Sequence, residues 1–211
     1  MRHGATLQLD RCPHCNIAKP ALNRLTGYET TDNRGDAPRF WQIYQCSICG
    51  GITMAVAPVV VSEGGRSVPL EISEIWPAPQ TVHASIPDRA KTFLDQAIAS
   101  IHAPAGAVML TACAVDSMLK EKGLKEGSLF KRIDEAAASH LITAEMAAWA
   151  HEVRLDANDQ RHTDESGALP AEADAKKAID FALALAQFLF VLPARVARGR
   201  ALPGASKPGK A

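Results

Sequence analysis

The sequence predicts an α+β protein in which a small N-terminal zinc-ribbon β module precedes an all-α bundle of five helices. Three observations support this class. Two CxxC pairs lie within the first 50 residues. Up to about residue 76 the chain favours short, β-branched and aromatic segments. From Ser85 onward the apolar residues recur with a helical period.

The cysteine pairs predict a metal site. Cys12 and Cys15 form the first pair, and Cys46 and Cys49 form the second after thirty intervening residues. This spacing is typical of one tetrahedral site built from two loops, most simply structural Zn(II). Four thiolates close the coordination shell, which favours a structural over a catalytic metal. Two alternatives remain: His14 replacing one thiolate as ligand, or a redox role for Cys12 and Cys15, which lacks a surrounding βαβ pattern.

The β module is predicted over residues 1–76, with a proline-containing linker over 77–86. Residues 63–66 (Glu-Gly-Gly-Arg) indicate a hairpin, and Tyr28–Pro38 reads as a polar loop. The predicted strands are Thr6–Arg11, Arg39–Gln45, Ile52–Val61 and Val68–Ile75.

The helical bundle is predicted over residues 87–193, and a disordered basic tail over 194–211. The apolar run Phe181–Leu192, stopped by Pro193, reads as a buried helix too short for a bilayer. Ser85, Ser128 and Thr143 are predicted helix N-caps, and Cys113 is predicted to pack in the core. The predicted helices are Pro87–His102, Pro104 to about Gly123, Ser128 to about His140, one from Thr143 onward, and Ala171–Leu192.

Charge is unevenly distributed although the formal net charge is zero. Residues 81–192 hold 11 basic and 16 acidic side chains, a net of −5, whereas residues 193–211 hold five basic and no acidic ones. A broadly basic nucleic-acid binder is therefore excluded, and only the tail could attract RNA, DNA or an acidic partner rather than simply solubilise the chain. No apolar segment follows Met1, and the cysteines suit a reducing compartment, so we expect a cytoplasmic protein without membrane contact.

Three polar residues are spaced to share one helix face. Arg154, Asn158 and His162 lie at i, i+4 and i+8 if the fourth helix extends that far. They are candidate catalytic residues, because an arginine can hold a phosphate, a histidine can transfer a proton and an asparagine can orient either. The alternative, favoured by residue types alone, is that they end the helix and order the following loop. Asp116 is expected to pair with Arg154 across the bundle.

The region from about Trp76 to Arg195 resembles a bacterial family known as domain of unknown function 4145. The resemblance is carried by Ile86-Pro87, by residues 112–119 (Ala-Cys-Ala-Val-Asp-Ser-Met-Leu), by residues 129–133 (Leu-Phe-Lys-Arg-Ile), by Arg154-x-x-Ala-Asn158-x-x-x-His162, and by the closing helix. An N-terminal cysteine-rich ribbon is a frequent companion of that family.

The resemblance implies a relation to HEPN helical bundles, many of which form homodimers through the helix that bears the motif. Some of them cleave RNA without metal, which would assign Arg154 to the scissile phosphate and His162 to proton transfer. This chain departs from the pattern: seven residues separate Arg154 from His162, Ala157 replaces a glycine, and Cys113 and Asp116 stand where an arginine and a glutamate are frequent.

Two function classes follow. The first is a zinc-containing, nucleic-acid-associated accessory or defence-type protein that binds RNA or DNA, or cleaves RNA, through Arg154 and His162. The second is a non-catalytic, dimeric module that binds a protein partner. The net charge of −5 on the bundle favours the second class, whereas the basic tail and the Arg154 row favour the first.

Overall fold

A computed structural model describes residues 1–62, 64–159 and 169–201. The chain forms two compact units, Met1–Gln80 and Thr81–Ala211. The first unit contains an antiparallel sheet and the second contains helices, so the α+β class predicted from the sequence is confirmed.

The first unit is a six-stranded antiparallel sheet. The strand order is β1-β2-β3-β4-β5, and β6 pairs with β4. The hairpin predicted before β5 is present, because Val61 pairs with Ser67. The strands are β1 (Thr6–Leu7), β2 (Leu22–Thr30), β3 (Arg39–Cys46), β4 (Ile52–Val61), β5 (Ser67–Pro69) and β6 (Glu74–Trp76).

Two features of the sheet differ from the expectation. The strand β2 was not predicted, and it covers the start of the segment that reads as a loop from Tyr28. Only Leu22 of β2 is buried, so the strand lacks an apolar alternation and is held by backbone pairing with β3. The predicted strand Val68–Ile75 is two short strands, β5 and β6, which both pair with β4.

A small core lies beneath the cysteine loops. Its buried members are Leu7, Leu22, Tyr44 and Ala55, together with Cys12 and Cys46. Elsewhere on the sheet, the rings of Trp41 and Trp76 stack with centroids 5.6 Å apart.

The second unit is a helical bundle. The helices are α1 (Asp88–Ala99), α2 (Pro104–Glu121), α3 (Leu129–Ala138), α4 (Ala144–Asp159), α5 (Glu172–Ala186) and α6 (Leu192–Ala201). Two predicted caps are present: the Lys131 amide donates to Ser128 Oγ at 3.4 Å, and the Met146 amide donates to Thr143 Oγ1 at 3.2 Å. Ser85 is not a cap, because α1 begins at Asp88 after Pro87, without a side-chain cap.

The last helix is longer than predicted. A π turn, Gln187–Val191, joins α5 to α6, so one continuous helix runs from Glu172 to Ala201. Pro193 does not end this helix. The preceding π turn widens the helix, and within the turn the Leu192 amide donates to the Gln187 carbonyl five residues earlier. Residues 194–201 of the predicted disordered tail are therefore helical, and residues 202–211 lie outside the described part of the chain.

The bundle core is mainly aliphatic and alanine-rich, with Leu94, Met118, Ile133, Phe181 and Leu185 among its fully buried members. By length and composition the helix Glu172–Ala201 could cross a membrane, contrary to the expectation for its apolar run. One face of this helix is buried in the bundle core, as in the core helix of a soluble protein. Its length and composition alone are therefore weak evidence for a membrane span.

Candidate metal centre and basic cavity

The two cysteine loops have the same backbone conformation. In the first, the Asn16 amide donates to the Cys12 carbonyl at 3.0 Å, and in the second the Gly50 amide donates to the Cys46 carbonyl at 2.9 Å. Asn16 and Gly50 both adopt a left-handed conformation, with φ of 56° and 72°. Asparagine and glycine are the residues that tolerate this region best, which explains why each loop carries one of them at that position.

One further hydrogen bond closes each loop. The Cys12 amide donates to the Ile17 carbonyl at 3.0 Å, and the Cys46 amide donates to the Gly51 carbonyl at 2.9 Å. Backbone amides also point at sulfur: that of His14 lies 3.4 Å from Cys12 Sγ. Such donors stabilise a thiolate charge, so each loop is built to present ionised sulfur.

The four sulfur atoms converge on one point. The Sγ atoms of Cys12, Cys15, Cys46 and Cys49 all lie within 4.8 Å of one another. The Sγ atoms of Cys12 and Cys49 are 3.9 Å apart. A tetrahedral zinc site with Zn–S bonds of about 2.3 Å separates its sulfurs by roughly 3.8 Å. The spacing of the four atoms therefore fits one metal ion, as the sequence spacing predicted.

The thiol pKa values depend on burial and on the backbone donors. Burial, together with the neighbouring thiols of Cys49 and Cys12, raises the pKa of the Cys15 thiol to about 12. Burial would also raise the pKa of Cys46, but the amides of Cys49 and Ile48 and the Cys12 thiol outweigh it and lower that pKa to about 7. Four thiolates at this spacing repel one another, so a bound cation is what would hold them all ionised.

His14 does not join the four sulfurs. Its Nε2 lies 2.8 Å from the Ile52 carbonyl oxygen, so the ring is engaged with the backbone. The ring packs on Gly51, where an added Cβ would come within 2.5 Å of it. The structure thus groups four cysteines and places His14 beside them as a packing residue.

A cavity of about 600 Å³ opens in the helical unit. Its lining is contributed by α1, α2, α3 and α4. The charged lining residues are Arg89, Lys120, Arg132 and Arg154 against Asp116 and Glu121, which gives a net of +2. The cavity is therefore basic within a unit whose residues 81–192 carry a net of −5.

Asp116 forms ion pairs with two of these cations. Its Oδ1 accepts from Arg132 Nη1 at 2.9 Å, and its Oδ2 lies 2.6 Å from Lys120 Nζ. The Arg132 side chain is only 9% exposed, so its ion pair with Asp116 is the buried one. The expectation that Asp116 pairs with Arg154 was wrong, because the register of α2 against α3 and α4 brings Arg132 to the carboxylate first.

Arg154 has no carboxylate partner among the described residues. Its guanidinium lies over the Phe130 ring, with Cζ 5.2 Å from the centroid. Its Nε is buried and has no hydrogen-bond partner. Ala150, one turn before Arg154 in the row expected on α4, is buried in the bundle core, and Arg154 itself is partly buried. The side chain of Asn158 and the whole of His162 lie outside the described residues.

Two groups near the cavity were not singled out from the sequence. Arg132 carries the buried ion pair, and its place inside an ordinary amphipathic pattern on α3 gave no signal. His151 lies three residues before Arg154, stacks on Phe130 at 4.8 Å and bonds to Asp134 Oδ1 at 3.0 Å through Nε2. Its i, i+3 spacing to Arg154 was the available signal.

Cys113, predicted as core packing, is partly exposed and lines the cavity.

The fold and these sites define an α+β protein with a candidate four-cysteine metal centre and a helical bundle that holds a basic cavity. The family model described as domain of unknown function (DUF4145) matches residues 94–201, just over half of the chain, and the chain belongs to this family. No curated protein and no solved structure matches the chain.

Proposed function

We propose that the chain binds single-stranded RNA, with a phosphate of the RNA held by Arg154 in the basic cavity of a HEPN-like bundle. We propose further that the four cysteines hold structural Zn(II), which fits their all-sulfur donor set. The observation that carries the first proposal is Arg154 itself, a partly buried guanidinium with an unpaired Nε and no carboxylate partner in the described part of the chain.

The surroundings of Arg154 favour a nucleotide over a simple anion. Arg154 lies over Phe130, and Arg89 lies over Phe93 with Cζ 6.0 Å from the ring centroid. Sites for single-stranded nucleic acid combine cations for the phosphates with aromatic rings on which bases stack. The cavity offers both, and its volume accepts a nucleotide-sized group.

Anisotropy of a labelled 20-nucleotide RNA, measured across salt concentrations, tests the proposal. Arg154→Ala removes a charge-assisted bond worth about 1.5–3 kcal/mol, so affinity should fall roughly 10- to 100-fold. Arg34→Ala is the matched control, because it removes the same charge from an exposed loop of the other unit. Equal losses in both variants, or no binding at low salt, would refute the proposal.

Cleavage is a separate step of the same proposal. The ribose 2′-hydroxyl would attack phosphorus, and the P–O5′ bond would break to give a 2′,3′-cyclic phosphate and a 5′-hydroxyl. His162 is the proton-transfer residue that the family resemblance implies. Incubation with RNA in EDTA, followed by end-group analysis, should give cyclic ends with wild type and none with His162→Ala. If neither protein cleaves the RNA, the nuclease proposal is refuted and the RNA-binding proposal remains.

A second candidate function rests on the β unit. A groove of about 530 Å³ is bounded by the stacked Trp41 and Trp76 and includes Pro38, Pro58 and Val59. Aromatic grooves of this kind accept extended proline-rich peptides, so a protein-interaction role is the alternative. Display of a proline-rich peptide library against wild type and Trp76→Ala tests it. If wild type and Trp76→Ala recover the same peptides, the groove is excluded as the peptide-binding site.

A further inference from the structure

The C-terminal half of the long helix is apolar on two faces. One face, with Leu185, Leu189 and Val191, is buried in the bundle. The other face exposes large apolar side chains, and these are Phe188 (41% exposed), Leu192 (43%) and Val196 (59%). No residue of α6 is buried. These three side chains follow one another at four-residue spacing on one helix, so they form a contiguous apolar stripe that a partner could cover.

The π turn aligns this stripe. In an uninterrupted α-helix the sixteen residues from Asp180 to Val196 would leave the two side chains about 160° apart. The π turn Gln187–Val191 takes about one extra residue per turn, which reduces that angle to roughly 60°. Asp180, Ala184, Phe188, Leu192 and Val196 therefore lie along one exposed face.

Within residues 180–196 of this face the charge changes sign from one end to the other, and the exposed Lys176 and Lys177 lie one turn beyond it toward the N-terminus. Asp180 is exposed on the N-terminal side of Phe188. Arg195, Arg198 and Arg200 lie on its C-terminal side, where α6 carries no acidic residue. A helix with this pattern complements a copy of itself running in the opposite direction.

We propose that this face, residues Asp180 to Val196, pairs with the same face of a second copy in an antiparallel dimer with its two-fold axis at Phe188. Ala184 lies four residues before Phe188 and Leu192 lies four residues after it. In the antiparallel pair, Leu192 of one copy therefore packs against Ala184 of the other. Asp180 and Arg195 lie eight and seven residues from the axis, about 12 Å and 10.5 Å along the helix. Each copy thus brings Asp180 beside Arg195 of its partner.

The charges favour this occupant over two others. A parallel pair would place the arginines of α6 against each other. An anionic membrane would accept the arginines and the apolar stripe, but it would bring Asp180 against negatively charged headgroups. Of the three occupants, the antiparallel copy is the one that sets Asp180 against an opposite charge.

The contact is short, and this sets its strength. Sixteen residues of helix span about 24 Å, so the helix pair alone buries less than a standard interface of about 800 Å² per partner. We therefore expect a reversible dimer that dissociates in the micromolar range.

Sedimentation velocity of the full chain across protein concentration measures this dimer. Wild type should shift from the 22.5 kDa monomer toward twice that mass as the concentration rises. Phe188→Glu should weaken association at least 10-fold. Leu155→Glu is the matched control, because Leu155 is an apolar residue on α4 with 48% exposure. Loss of the dimer with Leu155→Glu but not with Phe188→Glu would overturn the proposal and place the interface on the helix that bears Arg154.

Charge exchange gives a second test that folding defects cannot mimic. Asp180→Arg and Arg195→Asp should each weaken the dimer, and the double variant should restore it. Absence of rescue would overturn the antiparallel register. A wild type that stays monomeric at every concentration, or that floats with anionic phosphatidylserine vesicles through the same residues, would also overturn it.

Discussion

Removal of the Zn(II) that we propose for the four-cysteine centre is expected to unfold the β unit. The core beneath the cysteine loops contains only four buried residues besides cysteine, which are Leu7, Leu22, Tyr44 and Ala55. Burial of a large apolar side chain contributes about 1.5–3 kcal/mol, so this cluster contributes on the order of 10 kcal/mol before entropy is subtracted. A structural zinc site contributes about 10–16 kcal/mol, which is as much as the whole cluster. Loss of the ion therefore exceeds the net stability of such a unit.

Tryptophan emission separates the two units in this experiment. Trp41 and Trp76 belong to the β unit, whereas Trp149 packs on Phe181 in the helical bundle at 5.0 Å. In a Trp149→Phe variant, a strong chelator should shift the emission to the red as the two stacked rings enter water. Far-UV circular dichroism at 222 nm should change little, because the bundle core contains no metal ligand.

Cysteine variants provide the control. Cys46→Ser should release the metal, measured as zinc per chain, and should reproduce the effect of chelation. Cys113→Ser changes the remaining cysteine, which lies on α2 of the other unit, and should keep a full complement of zinc. The reasoning fails if Cys46→Ser retains its metal, or if chelation leaves the emission unchanged. Loss of the helical signal on chelation would show that the bundle depends on the metal.

Two further predictions concern single side chains. Asp116→Ala leaves a buried arginine without its carboxylate and should lower the free energy of unfolding by about 2–4 kcal/mol, whereas Lys120→Ala removes an exposed partner and should cost less than about 1 kcal/mol. Urea denaturation followed at 222 nm measures both, and equal costs would contradict the assignment of the buried pair. Gly51→Ala should destabilise the β unit by about 1–3 kcal/mol because its Cβ would meet the His14 ring at 2.5 Å. His14→Ala should suppress that loss, and destabilisation that persists in the double variant would point to the backbone instead.

The metal centre could be predicted from the sequence because its signal is local. Two CxxC pairs fix four sulfur atoms in two short loops, and the antiparallel pairing of β2 with β3, in which Leu22 lies opposite Cys46, brings the two loops together. The helix N-caps at Ser128 and Thr143 could be predicted for the same reason.

The features that the sequence missed depend on long-range contacts. The strand β2 buries one residue in nine, so backbone pairing holds it and no apolar alternation marks it. The partner of Asp116 is set by how α2 packs on α3, which a helical period does not contain. The effect of Pro193 depends on a π turn that has no sequence signature of its own. The basic cavity likewise combines residues from four helices, of which the sequence singled out Arg154, Asp116 and Cys113 without showing that they line one cavity.

The ¹⁵N-labelled arginine side chains give the most direct test of phosphate binding at the cavity. The Nε–H signal of Arg154, assigned by its loss in Arg154→Lys, reports on a buried donor that has no partner. Addition of a short single-stranded RNA should shift this signal, whereas the Nη1 group of Arg132, which already donates to Asp116 Oδ1, should change less. An Arg154 signal that stays in place when the RNA is saturating, or moves no more than that of exposed Arg34, would contradict the account.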